Sequence, residues 1–128
     1  MEEQFKELAQ NFIVTCSKML DVNLRYDRES VEWLSGYIER VRLHLDEASI
    51  DGLTASIGSF LGECIIANYG GQWRESNGMW GIFFSEASDR NAAFPFNKVR
   101  KQLSRGESDS ILSFYNVLPV IFDKSHEI

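Results

Sequence analysis

Asn77-Gly78 stands between two aromatic-rich segments, Gln72–Glu75 and Met79–Phe84, and this dipeptide sets the middle of the chain as a β-hairpin. Both residues of a tight hairpin turn need positive φ, which asparagine and glycine tolerate, and the twist of such a turn matches that of the strands it joins. With Asn77 and Gly78 as the turn, Ser76 faces Met79, Glu75 faces Trp80 and Trp73 faces Ile82. Alternation then places Trp73, Trp80, Ile82 and Phe84 on one face, and Gln72, Arg74, Met79 and Phe83 on the other. The first face is expected to pack on helices, with Trp80 deeply buried. The second leaves Met79 and Phe83 exposed unless something covers them. Ala92-Ala93-Phe94 adds a short third strand.

On either side of the sheet the apolar period is helical. Phe5, Leu8, Phe12, Cys16 and Met19, flanked by Ala9, Ile13 and Leu20, predict a first helix. Asp27-Arg28-Glu29-Ser30 supplies start chemistry for a second, with Val31, Leu34, Ile38, Val41 and Leu45 as its stripe and Trp33 and Tyr37 broadening it. Asp51 or Ser49 is expected to cap a third helix carrying Leu53, Ile57, Phe60, Leu61, Cys64 and Ile65, closed by Gly70-Gly71. Gly58 and Gly62 lie one turn apart on it and lower its surface for a close neighbour, expected to be the hairpin's tryptophans. Pro95 suits a first helical turn, and Phe96, Val99 and Leu103 give a short helix stopping at Gly106. Ser108-Asp109-Ser110 caps a last helix through Ile111, Phe114, Tyr115 and Leu118, ended by Pro119, with a frayed tail from Asp123. The expectation is an α+β fold: N-terminal helices packed on a small antiparallel sheet, followed by two short C-terminal helices.

The chain has 128 residues, the size of one domain spanning 1–128, and 44% of them are hydrophobic, enough for a core. Its 13 basic residues against 19 acidic ones leave a net charge of −6, which repels phosphate backbones and favours a basic protein partner over nucleic acid. The densest basic run, Lys98, Arg100, Lys101 and Arg105, is followed at once by Glu107 and Asp109 and reads as a solvated helix face. The most apolar window, Leu53–Ala67, contains Thr54, Ser56, Ser59 and Glu63 and is too short and polar to span a bilayer. No secretory signal opens the chain, so a cytoplasmic protein without a membrane partner is expected, as a monomer.

Residue types that carry chemistry are sparse. Cys16 and Cys64 fall on apolar stripes and read as reduced, buried thiols. His44 sits among charges at a helix end and His126 is the third residue from the end, so no cysteine–histidine pair is expected. These four residues have no paired zinc spacing, and the carboxylates Glu39, Asp46, Glu47 and Asp51 read as solvated helix ends, so no metal and no cofactor are expected. Glu63 interrupts the apolar run Phe60–Ile66. It is either an exposed edge or a buried acid paired with Arg74, Trp73 or Trp80, and it has no second group for acid–base work. The candidate binding residues are therefore Glu63, Trp73, Arg74, Met79 and Phe83, and no catalytic residue is expected.

Four segments follow one another along the chain in a distinctive order and spacing: Ser59-Phe60-Leu61-Gly62-Glu63, Gly70-Gly71-Gln72-Trp73, Phe94-Pro95-Phe96-Asn97-Lys98-Val99, and Gly106 through Tyr115. With Ser30-Val31-Glu32-Trp33-Leu34, they resemble an uncharacterised family of small bacterial domains of unknown function, over about residues 27 to 118. The resemblance implies bacterial origin and a shared fold and transfers no catalytic residue. The functional expectation is a non-enzymatic cytoplasmic interaction domain, with an immunity or antitoxin-like role toward a basic partner as its concrete form. The alternative is a small enzyme or ligand-binding domain using Glu63 and the Trp73/Trp80 hairpin.

Overall fold

A computed structural model describes residues 1–85 and 91–122. The expected frayed tail and His126 lie outside the described residues. Helices α1 (Glu2–Leu20), α2 (Arg28–Val41) and α3 (Glu47–Tyr69) precede strands β1 (Gln72–Ser76), β2 (Met79–Phe83) and β3 (Ala92–Ala93). Helices α4 (Pro95–Arg105) and α5 (Ile111–Phe122) follow, and single 3-10 turns lie at Arg42–His44 and Glu107–Asp109. The sheet is antiparallel in the order β1-β2-β3, so the α+β architecture is the expected one.

The hairpin register is as the Asn-Gly step requires, with Ser76 opposite Met79, Glu75 opposite Trp80 and Trp73 opposite Ile82. Asn77 takes φ 54° and Gly78 φ 79°, the left-handed conformations that this turn demands. Ala92 and Ala93 add the third strand against Phe83 and Ile82.

The central element is α3, which packs against α1, α4, β2 and α5. It begins earlier than its sequence suggests. Asp46, not Asp51 or Ser49, is the N-cap: its backbone is extended, and its carboxylate accepts from the Ser49 amide at 2.8 Å. That bond holds the Asp46 carboxyl below its usual range. Ser49 is thereby the donor inside the first turn, and Asp51 is left to pair with Arg100 of α4. The helix consequently reaches 23 residues, and by length and composition it is long and apolar enough to cross a membrane, contrary to the reading of its shorter apolar window. Its apolar residues Ile57, Phe60, Leu61, Cys64 and Ile65 are fully buried among the other elements, as in the core helix of a globular domain.

Three other boundaries and faces differ from expectation. Met19 and Leu20 are 76% and 45% exposed, because Asp21 closes α1 in the left-handed conformation and the opposing residues of α3 are small. Pro119 does not end α5, which continues to Phe122. A proline this close to a helix end forfeits one bond to the carbonyl four residues back and leaves the following turn free to form. Phe83, expected on an open face, is buried: the Arg74 guanidinium lies 4.2 Å over its ring and Phe94 meets it edge-on at 5.9 Å. Met79, on the same face, stays exposed.

One buried polar cluster joins the C-terminal helices to α2. Gln102, fully buried on α4, donates to the Ser35 carbonyl at 3.1 Å and the Glu39 carboxylate at 3.0 Å. Its own carbonyl accepts from the Ile111 amide at 2.8 Å, satisfying the first free N–H of α5, while Ser110 caps the same end through the Ser113 amide. Arg42 closes the far end of α4, donating to the Gln102 and Ser104 carbonyls.

Candidate functional site

Glu63 and Trp73 are brought together. The Trp73 indole donates to the Glu63 carboxylate at 2.8 Å, so a donor does come from the hairpin. Trp73 is 5% exposed and lies on Gly62, where a Cβ would overlap its ring carbons. Phe5 and Phe96 complete the surround, with centroids 4.5 Å and 5.5 Å from Trp73. Gly58 is covered by Phe96 of α4 rather than by the hairpin. Trp80, expected to be deeply buried, is half-buried with its edge toward Phe5 at 5.4 Å. The reason is position: Trp80 sits next to the turn, and Trp73 is the tryptophan farther from it, over the helix.

The candidate residues therefore divide. Glu63 and Trp73 fasten the hairpin to α3, Arg74 and Phe83 stack on the opposite face of the sheet, and Met79 stands exposed beside the turn. These contacts spread the five over two sides of the sheet rather than gathering them in one site.

Both cysteines are free and buried. Cys64 lies 3.6 Å from the Tyr115 hydroxyl and 3.7 Å from the Asp27 carbonyl, and burial pushes its thiol from about 9.0 up to about 11. Burial also raises Cys16, and it raises Tyr115, which Cys64 reinforces. A thiol held protonated at neutral pH is a poor nucleophile. Its raised value also has a stability consequence. Above pH 9 the unfolded chain loses a thiol proton that the folded one keeps, so this contribution is complete below pH 9 and is lost as pH rises toward 11. Denaturant midpoints measured from pH 7 to 11 should fall over that interval, and Cys64→Ala should flatten the fall. Thiol titration of the unfolded, non-reduced protein should find both cysteines.

The basic run of α4 is engaged at its own surface: Arg100 pairs with Asp51, Arg105 with Asp109 at 3.7 Å, and Lys98 lies 5.4 Å over the Phe114 ring. His44 is exposed in the turn after α2. Among the described residues, no three histidine, cysteine or acidic side chains group as metal ligands.

An open apolar feature of the surface lies elsewhere. Between α1 and α3 runs a groove of about 610 Å³, lined by Leu8, Phe12, Met19, Leu20, Leu45 and Leu53 with Asn11 and Thr15 among them. It exists because Ser49, Gly52 and Ser56 face it from α3 and do not fill the space. A Cβ at Gly52 would meet nothing within 4 Å. The signal in the sequence was the small-residue spacing at 49, 52 and 56, opposite an apolar stripe longer than its helix can bury.

The chain matches no protein-family model, no curated protein and no solved structure. The segments Ser59–Glu63, Gly70–Trp73 and Phe94–Val99 meet at one place, where Gly62 and Glu63 hold Trp73 and Phe96 stacks on its ring.

Proposed function

We propose that this protein is a non-enzymatic bacterial interaction domain of the cytoplasm that takes a basic amphipathic segment of a protein partner into the α1–α3 groove. The observation that carries this reading is the groove itself, largely apolar and lined in part by Met19 at 76% exposure, on a chain of net charge −6. Apolar surface of this kind costs free energy in water until it is covered, and a chain of net negative charge draws cationic partners and repels nucleic acid. An immunity or antitoxin-like role toward a basic toxin is the concrete biological form of the same chemistry. The alternative, a ligand site built on Glu63 and the tryptophan hairpin, has less support, since the Glu63 carboxylate and the Trp73 indole already hold one another.

The test uses a leucine–arginine amphipathic helical peptide as probe, titrated by calorimetry at physiological salt. Wild type is expected to bind it. Met19→Ser with Leu20→Ser should weaken binding about tenfold or more, the loss expected when two large apolar side chains leave a contact. Glu63→Gln should leave it unchanged. Loss with Glu63→Gln and none with the groove variant would reverse the choice between the two readings.

A further inference from the structure

We infer that Trp33 and Tyr37 form a platform for an arginine of that partner, and that Arg40 occupies the platform in the free protein. The inference deepens the groove reading and rests on it.

Trp33 and Tyr37 were expected to broaden the apolar stripe of α2. Both are half-buried, Trp33 packs against the edge of the core that Val31, Leu34 and Ile38 enter, and the two rings stack on each other at 5.4 Å with 12° between their planes. The Arg40 guanidinium carbon lies 5.6 Å from the Trp33 ring and 5.9 Å from the Tyr37 ring, within the range where the ring quadrupole attracts a cation. The fold's own arginine thus demonstrates what chemistry the pair accepts.

The platform also adjoins the groove. Tyr37 is part of the groove wall, and Trp33 lines a neighbouring cleft of about 420 Å³ shared with Leu24, Arg25, Asp27 and Glu29. Glu29 precedes Trp33 by one helical turn and offers an exposed carboxylate beside the ring, while Arg25 sets the opposite sign in the same cleft. A segment seated in the groove therefore passes the rings through Tyr37. Two guanidinium groups on one small aromatic surface repel each other, so a partner arginine displaces Arg40 into water. Planar stacking favours arginine over lysine for this exchange.

The sign of one substitution sets this apart from ordinary surface electrostatics. With the leucine–arginine peptide, Arg40→Ala should tighten binding about threefold, the size of an exposed cation–π contact released from competition, and Trp33→Ala should weaken it by a similar factor. Lys18→Ala removes the same charge away from the platform and should change binding clearly less. A peptide with citrulline for every arginine keeps the shape without the charge, and its affinity should be indifferent to Arg40→Ala. Unchanged or weaker binding by Arg40→Ala, an equal gain with Lys18→Ala, or indifference to Trp33→Ala would each overturn the platform. The groove reading has its own failure: equal binding by wild type and the Met19/Leu20 variant would sink it, and absence of binding by wild type would sink both.

Discussion

Trp73→Ala is expected to cost about 3–5 kcal/mol, the usual range for removing a buried tryptophan ring. That is a large part of the roughly 5–15 kcal/mol that holds an ordinary domain together. Three losses coincide at this residue. The ring leaves a cavity over Gly62 and between Phe5 and Phe96, the Glu63 carboxylate loses its indole donor, and the hairpin loses a hydrogen-bonded attachment to α3. Trp80→Ala should cost clearly less, since its ring is half-buried and touches Phe5 by an edge. Chemical denaturation of the two variants, with slopes compared as well as midpoints, measures the difference. Equal costs would mean that the two rings share the burial.

Gln102→Met is the second large effect, at about 3 kcal/mol. Methionine keeps the volume, so the loss isolates the hydrogen bonds. The Ile111 amide and the Ser35 carbonyl would lose their Gln102 partners inside the protein, where water does not replace them. Because these bonds join α2, α4 and the start of α5, hydrogen exchange should show the protection of α5 falling before that of α3. A cost near zero, with α5 protection unchanged, would show that the cluster is satisfied some other way.

The hairpin was legible to the residue because two local rules agree there. The turn admits only residues that tolerate positive φ, and strict alternation fixes what each neighbour faces, so Trp73 opposite Ile82 follows without knowledge of the rest. The glycine pair on α3 was legible as a close approach for the same local reason, although which partner took Gly58 depended on where α4 lands. Helix starts were less legible, since Asp46, Ser49 and Asp51 all have capping side chains and the choice fell to the backbone path leaving Leu45. Phe83 lies on the expected face, but its cover was not legible, because Phe94 arrives from beyond β3 and pairing rules say nothing about it. Gln102 was invisible: its partners on α2 are more than 60 residues away in sequence, and one polar residue beside Val99 and Leu103 has no local signature. The groove is legible only in hindsight, because it depends on small residues of one helix facing large ones of another.

The central claim is that the residues with the most distinctive chemistry, Glu63 and Trp73, fasten the fold, and that the α1–α3 groove faces the partner. Amide and indole chemical shifts followed by NMR during titration with the leucine–arginine peptide test it most directly. The account predicts saturable shifts at Met19, Leu20, Tyr37 and Leu53, with the Trp73 indole resonance unmoved. Shifts gathered at the Trp73 indole and along Gln72–Ser76, with the groove residues silent, would contradict it.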